Sequence, residues 1–223
     1  MTEAAAELGI LFDWDGVIID SSRQHETSWE RLAEEQGNPL PADHFVRGFG
    51  KKNEVIIPGI LGWTDDPVEI HRLSLRKEAL YREVVVEQGV AALPGVHEFL
   101  LQLKSAGIRS CVGSSTHREN IDTIIGVLGF EELFDDIVTA EDVTAGKPHP
   151  DVFLKAAGKI AREPHHCIVF EDAKAGIEAG RAGGMKVIGV ATTHDYKTLR
   201  PLVDRVVDRL DELKIGDLLN LFR

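Results

Sequence analysis

Cysteine is almost absent from the 223 residues: there are two, Cys111 and Cys167. Each sits inside an apolar segment, and neither belongs to a CxxC pair or a disulfide framework. The expectation is therefore buried free thiols in a reducing compartment. Long apolar runs are missing too, since none approaches the ~20 residues that a membrane-crossing helix requires. The opening residues MTEAAAELG lack a basic segment followed by an apolar one, so no secretory leader is expected. Positive charge is scarce: 25 Lys and Arg face 37 Asp and Glu, for a net charge of −12. Such a surface repels nucleic acid and anionic membranes unless a local basic patch overrides it. Several phosphate and metal signatures are also absent. TAGKPH, around Lys147, has neither the upstream glycine nor the following Ser or Thr of a P-loop, and no HExxH or GxGxxG occurs. No internal repeat or low-complexity stretch appears. These absences leave a cytoplasmic, soluble protein as the expectation.

What is present suits one α/β core with an insertion. A content of 43% hydrophobic and 28% charged residues is enough to fill a core. Short apolar segments, LGILFD, IRSCVGSS, DDIVTA, HCIVFED, KVIGVA and RVVD, read as buried strands. Between the later ones lie helical patterns such as GVHEFLLQLKSAG, RENIDTIIGVLG and PDVFLKAAGKIA. That alternation predicts a Rossmann-like parallel sheet covered on both faces, with ligands binding outside the carboxyl ends of its strands. From Ser21 to about Ala92 the rhythm breaks. SSRQHETSWERLAEEQG reads as a helix ending at Gly37, and VEIHRLSLRKEALYREVVVEQG as a second ending at Gly89, its last turn weakened by Val84 to Val86. Residues 1–20 and 92–223 are thus expected to form the core, and residues 21–91 an inserted helical lid.

The stretch GILFDWDGVIID places Asp13 and Asp15 at the end of the first strand. An unpaired buried carboxylate is expensive, so two of them imply a metal site, an acid/base pair with separated pKa values, or a turn shaped by Asp side chains. Other strand ends are similar. HCIVFED ends in Glu171 and Asp172, IRSCVGSS ends in Ser114 and Ser115, and AGKPHPDVF brings Lys147 to the same edge of the sheet. Individually these residues could cap the following helices, and Lys147 could be an ordinary surface lysine. Jointly, four carboxylates, a hydroxyl and an ammonium suit a hard divalent cation and a phosphoryl group.

With those residues in order, DWDGV, Ser114, Lys147 in GKPHPDVF and FEDAKAGIEAG, the sequence resembles the haloacid dehalogenase superfamily. Within it the likeness is to the branch of β-phosphoglucomutase and the sugar-phosphate phosphatases. The resemblance implies a helical cap after the first motif and a phosphorylated Asp13 as intermediate. Asp15 is implied as general acid and then base, and Ser114 and Lys147 as holders of the transferring group. It implies magnesium bound by Asp13, the backbone carbonyl of Asp15 and Asp172, with Glu171 nearby. Dehalogenases and phosphonoacetaldehyde hydrolase lack an acid at the place of Asp15, so the resemblance points to phosphate esters.

On the cap, His25, Gly48, Lys51 and Lys77 fall where β-phosphoglucomutase-like members contact substrate, with Ser21 at the hinge and Ser115 added from the core. The residue at 51 is Lys where a mutase favours Arg, and Lys lacks the bidentate fork for a second phosphate. Competing readings stand beside these. His25 precedes Trp29 by one turn and could pack on that face, and Arg47, Lys51 and Lys52 could be a solvated basic edge. The expectation is a magnesium-dependent phosphatase of a small phosphorylated sugar or polyol, acting as a monomer or weak homodimer. A β-phosphoglucomutase-type mutase is the alternative, and a phosphoaspartate signalling domain, which would be shorter and capless, the remote one.

Overall fold

The computed structural model describes residues 7–48 and 51–223. The chain divides into two compact units, Met1–Asp20 with Ala91–Arg223, and Ser21–Val90.

The first unit is built on a six-stranded sheet of order β3-β2-β1-β4-β5-β6. Its strands are β1 (Gly9–Phe12), β2 (Arg109–Gly113), β3 (Asp136–Val138), β4 (Cys167–Glu171), β5 (Lys186–Val190) and β6 (Arg205–Val207). Every pairing is parallel. Parallel strands are covered on both faces, so they are apolar throughout rather than alternating; all of β1 and β4 is buried.

Successive side chains still point to opposite faces. On one face Phe12 meets Phe99 edge-on at 6.3 Å and Phe170 at 5.1 Å between ring centroids. On the other, Leu11, Cys111 and Val169 join Phe153, Ala156, Ile177 and Val187 in one buried cluster. Cys111 and Cys167 are both free and buried. Burial raises both thiols, Cys167 to about 12. The sheet order reverses direction at β1, which pairs with β2 on one side and β4 on the other. In open α/β sheets that switch point opens a crevice at the carboxyl ends of the strands.

The second unit is helical. Helix α1 (Ser22–Gln36) ends at Gly37, whose φ of 65° closes the last turn in the left-handed region. Helix α2 (Pro67–Gln88) starts on Asp66, whose side chain accepts from the Val68 amide, with Pro67 in the first turn. It continues through Val84 to Val86 despite their β-branching, because Val84 and Val85 are wholly buried. Packing overrides a propensity worth only a few tenths of a kcal/mol, roughly, per residue. Trp29 and Leu32 of α1 join Leu73 and Leu80 of α2, with Ile56, Ile57 and Leu61 from the short helical segments between them, in a core of their own. No described helix is long and apolar enough to cross a membrane.

Candidate active site at the carboxyl ends of the core strands

The ladder of β1 runs one residue past the strand, as the Asp13 amide donates to Phe170 O at 3.0 Å. The chain then turns tightly, with Ile18 N donating to Trp14 O at 2.9 Å and Gly16 N to Ile19 O at 2.8 Å. Gly16 is required twice over. Its φ is +77°, and a Cβ there would lie 2.1 Å from Asp172 Oδ2. The glycine after the second aspartate therefore lets the end of β4 approach the end of β1.

Three carboxylates meet at that crevice. Asp13, Glu171 and Asp172 each offer an oxygen, and all three lie within 4.8 Å of one another. Lys147 arrives from the loop before helix α3 (Asp151–Lys159) and donates to Asp13 Oδ1 at 2.7 Å and Glu171 Oε1 at 2.8 Å. Its Nζ sits 4.7 Å from the centroid of the Phe153 ring below, a favourable seat for a cation. A Cβ at Gly113 would come within 2.9 Å of that ring, so the glycine closing β2 leaves room for Phe153.

The electrostatics follow from burial and crowding. Burial disfavours the charged form of Lys147, but Asp13 and Glu171 outweigh it and raise the ammonium above its ordinary value. Burial likewise pushes the Glu171 carboxyl up, against the pull of Lys147 and with a further push from Asp13. Asp172 rises mainly through burial, opposed by a hydrogen bond from Thr193. One ammonium does not balance three ionised carboxylates. The oxygen donor set fits a hard divalent cation, which prefers such ligands and would offset the remaining charge.

The capping alternatives for these residues are only partly realised. Glu171 Oε2 accepts from the Ala173 amide at 2.7 Å, at the start of helix α4 (Lys174–Ala182). Its other oxygen lies so close to Gly176 that a Cβ there would fall 1.6 Å away. Ser114 is buried, with its amide on Val138 O at 3.0 Å and its Oγ accepting from the Thr116 amide at 3.1 Å. It does not cap the next helix, and Ser115 is exposed. The Asp15 carboxylate stands outside the three-carboxylate group: its Oδ2 accepts from Thr116 Oγ1 at 2.6 Å. Thr116 belongs to none of the motifs read from the sequence. Its only signal was its place in the hydroxyl run SST after β2.

The helical unit holds the other candidates. Lys77 Nζ lies 2.6 Å from His25 Nδ1 and 3.2 Å from Glu78 Oε1, and is 3% exposed. An ammonium only donates, so the His25 proton sits on Nε2. Burial and then Lys77 lower the His25 pKa to about 3, against Glu78. The ring stacks on Tyr81 at 4.0 Å. Asn53 Nδ2 supports Glu78 at 2.7 Å. Lys51 is exposed and donates to Arg47 O. Gly48 is buried at the end of a short helix, His44–Gly48. Phe49 and Gly50, the two residues before Lys51, lie outside the described residues.

Residues 8–184 match the family model of haloacid dehalogenase-like hydrolases. The chloroplastic 5-amino-6-(5-phospho-D-ribitylamino)uracil phosphatase of Arabidopsis thaliana is 38% identical over 217 residues, covering 96% of this chain and 57% of that protein. The chain thus spans little more than half of that relative's length. The β-phosphoglucomutase of Bacillus subtilis is 33% identical over 187 residues, covering 81% of this chain and 82% of the relative. Among solved structures, a family IA, variant 3 hydrolase from Entamoeba histolytica superposes with a TM-score of 0.85 at 28% identity, covering 96% of this chain and 99% of the other. A match that reaches from before β1 to beyond α4 takes in Asp13, Asp15, Ser114, Lys147, Glu171 and Asp172, and on that footing the chain belongs to the haloacid dehalogenase-like hydrolases, as a phosphoric monoester hydrolase.

Proposed function

We propose that this enzyme is a magnesium-dependent phosphatase of a small phosphorylated sugar or polyol, working through a phosphoryl group carried on Asp13. The observation that carries the proposal is the bridge from Lys147 to Asp13 and Glu171 beside Asp172. It puts a fixed cation against a carboxylate at the carboxyl edge of the sheet, where open α/β sheets bind their ligands.

Asp13, Asp172 and the backbone carbonyl of Asp15 would hold the magnesium ion, with Glu171 nearby. When bound, it supplies the positive charge that lets a phosphate dianion approach carboxylates. Asp13 attacks phosphorus in line, and Asp15 gives its proton to the departing oxygen. Asp15 then takes a proton from the attacking water, and phosphate leaves. Ser114 and Lys147 hold the equatorial oxygens as their charge develops, with Ser115 as a further phosphate contact. The phosphatases among the relatives favour an ester substrate, and the Arabidopsis phosphatase acts, by its name, on a phosphorylated ribityl compound.

A mutase reading has the Bacillus relative in its favour. On the helical unit His25, Gly48, Lys51 and Lys77 remain candidate substrate contacts, and a mutase would need two of them, Lys51 and Lys77, for a second phosphate. A phosphate-release screen over sugar and polyol phosphates, beside conversion of β-glucose 1-phosphate, separates the readings. Release faster than conversion is expected. Conversion outrunning release overturns the phosphatase reading, and finding neither release from any ester tested nor conversion overturns both.

A further inference from the structure

We propose that Thr192 is a positioning residue of the metal site: its hydroxyl holds the turn after β1 over the end of β4, so that the Asp15 backbone carbonyl and the Asp172 carboxylate keep a fixed relation before an ion binds. This rests on the reading of that crevice as a magnesium site. Thr192 lies just past β5, and its Oγ1 donates to Gly16 O at 2.5 Å across 176 positions of sequence. Strands β5 and β1 are not paired with each other, because β4 lies between them. The hydrogen bond therefore spans the end of β4, where Glu171 and Asp172 stand. Thr192 is itself anchored, its amide donating to Val190 O at 2.9 Å and that of Ala191 to Val207 O at 2.9 Å.

Gly16 is the point that needs holding. Glycine is the least restricted residue in φ and ψ, and this one takes a φ of +77°. Its amide donates to Ile19 O at 2.8 Å. That bond fixes the peptide plane shared with Asp15, and the same plane carries the Asp15 carbonyl, trans to the Gly16 N–H. The Gly16 carbonyl belongs to the next plane, which Thr192 holds. With both planes tethered, the torsions between them lose their freedom. Gly16 also lies against the metal-side carboxylate, since a Cβ on it would fall 2.1 Å from Asp172 Oδ2. Thr193, next in the chain, donates to Asp172. Adjacent hydroxyls from one strand end thus hold the turn and the carboxylate. Outer partners of this kind orient metal ligands, and losing one typically costs roughly 10–100-fold in affinity. The Thr192 side chain is exposed, so water can replace it as a donor to Gly16 O. Water does not tie β5 to the turn after β1.

The test is the affinity of the metal-free enzyme for Mn²⁺, read from the EPR signal of the free ion with no substrate present. It compares wild type with Thr192→Val, Thr192→Ala, Thr192→Ser and Asp172→Asn. Val keeps the β-branch and removes the hydroxyl; Ala carries the measurement if melting shows that Val does not fold. Both are expected to raise Kd on the order of tenfold, with Ser within about twofold of wild type. The Mg²⁺ dependence of phosphate release should shift by the same factor, and saturating Mg²⁺ should bring kcat back to within about threefold of wild type. An unchanged Kd in Val or Ala, or a Ser variant as weak as Ala, would overturn the role of Thr192. So would a kcat that stays low at saturating Mg²⁺, or a failure of both Val and Ala to fold, since the hydroxyl would then serve the fold at large. Asp172→Asn separates the layers. If it weakens Mn²⁺ binding and the Thr192 variants do not, only the positioning role falls. If Asp172→Asn leaves Kd unchanged, the metal reading of the crevice falls and this proposal with it.

Discussion

The two units each bury a lysine, and the two are kept in opposite company. Lys147 in the α/β unit is bracketed by Asp13 and Glu171, with Asp172 beside them. Lys77 in the helical unit faces a neutral imidazole and two aromatic rings, 5.5 Å from the Trp29 centroid and 5.3 Å from that of Tyr81, with Glu78 alongside. The carboxylates around Lys147 strengthen its charge, and they exceed it. Around Lys77 the visible consequence is a histidine held neutral. An acidic surplus invites a cation; a cation among rings and an imidazole keeps its histidine neighbour neutral. Burial alone therefore does not mark the chemistry of a lysine. Its neighbours do.

The contrast can be broken at several points. Removing divalent metal should have the largest effect: excess EDTA after metal-free preparation is expected to abolish phosphate release, because carboxylates alone repel the substrate. Undiminished turnover would contradict the charge argument for the acidic unit. Lys147→Ala should follow, at about 10²–10³ in kcat, the usual loss for one group stabilising charge in the transition state. A loss below about fivefold would make it a spectator, however well buried.

The helical unit should respond through stability. The His25 pKa falls from 6.5 in the unfolded chain to about 3 in the folded one. The unfolded state therefore binds the extra proton, and the stability that neutral His25 contributes is present above pH 6.5 and drains as pH falls below it. Urea unfolding should show wild type losing on the order of 1–2 kcal/mol more than His25→Gln between about pH 7 and about pH 5. Equal losses would mean that His25 is not held neutral.

How much was legible follows the same division. The strands could be read because parallel strands are continuously apolar, and GILF and CIVFE are buried along their whole length. Both long helices of the second unit were legible from their periodicity and their terminal glycines. Asp13, Glu171 and Asp172 could be grouped because each sits at a strand end on one sheet edge, and Lys147 because its loop leads from β3 into the next helix, which is a matter of order along the chain. Thr116 could not, because nothing in the run SST shows that the third hydroxyl is the one that donates to Asp15. The support that Gly113, Gly16 and Gly176 give was hidden for a similar reason. A glycine's value lies in what a side chain would strike, and sequence does not show that. His25 was weighed against Trp29, one turn away on its own helix, whereas its ring stacks on Tyr81 of the other helix.

The central claim is that Asp13 carries the phosphoryl group. It is tested most directly by acid-quenching the enzyme during turnover of a radiolabelled phosphate ester and mapping the protein-bound label by peptide mass. The account predicts an acid-stable, hydroxylamine-labile label on the peptide containing Asp13, absent from a folded Asp13→Asn variant that releases no phosphate. Label on another residue, or an Asp13→Asn enzyme within tenfold of wild type, would contradict it.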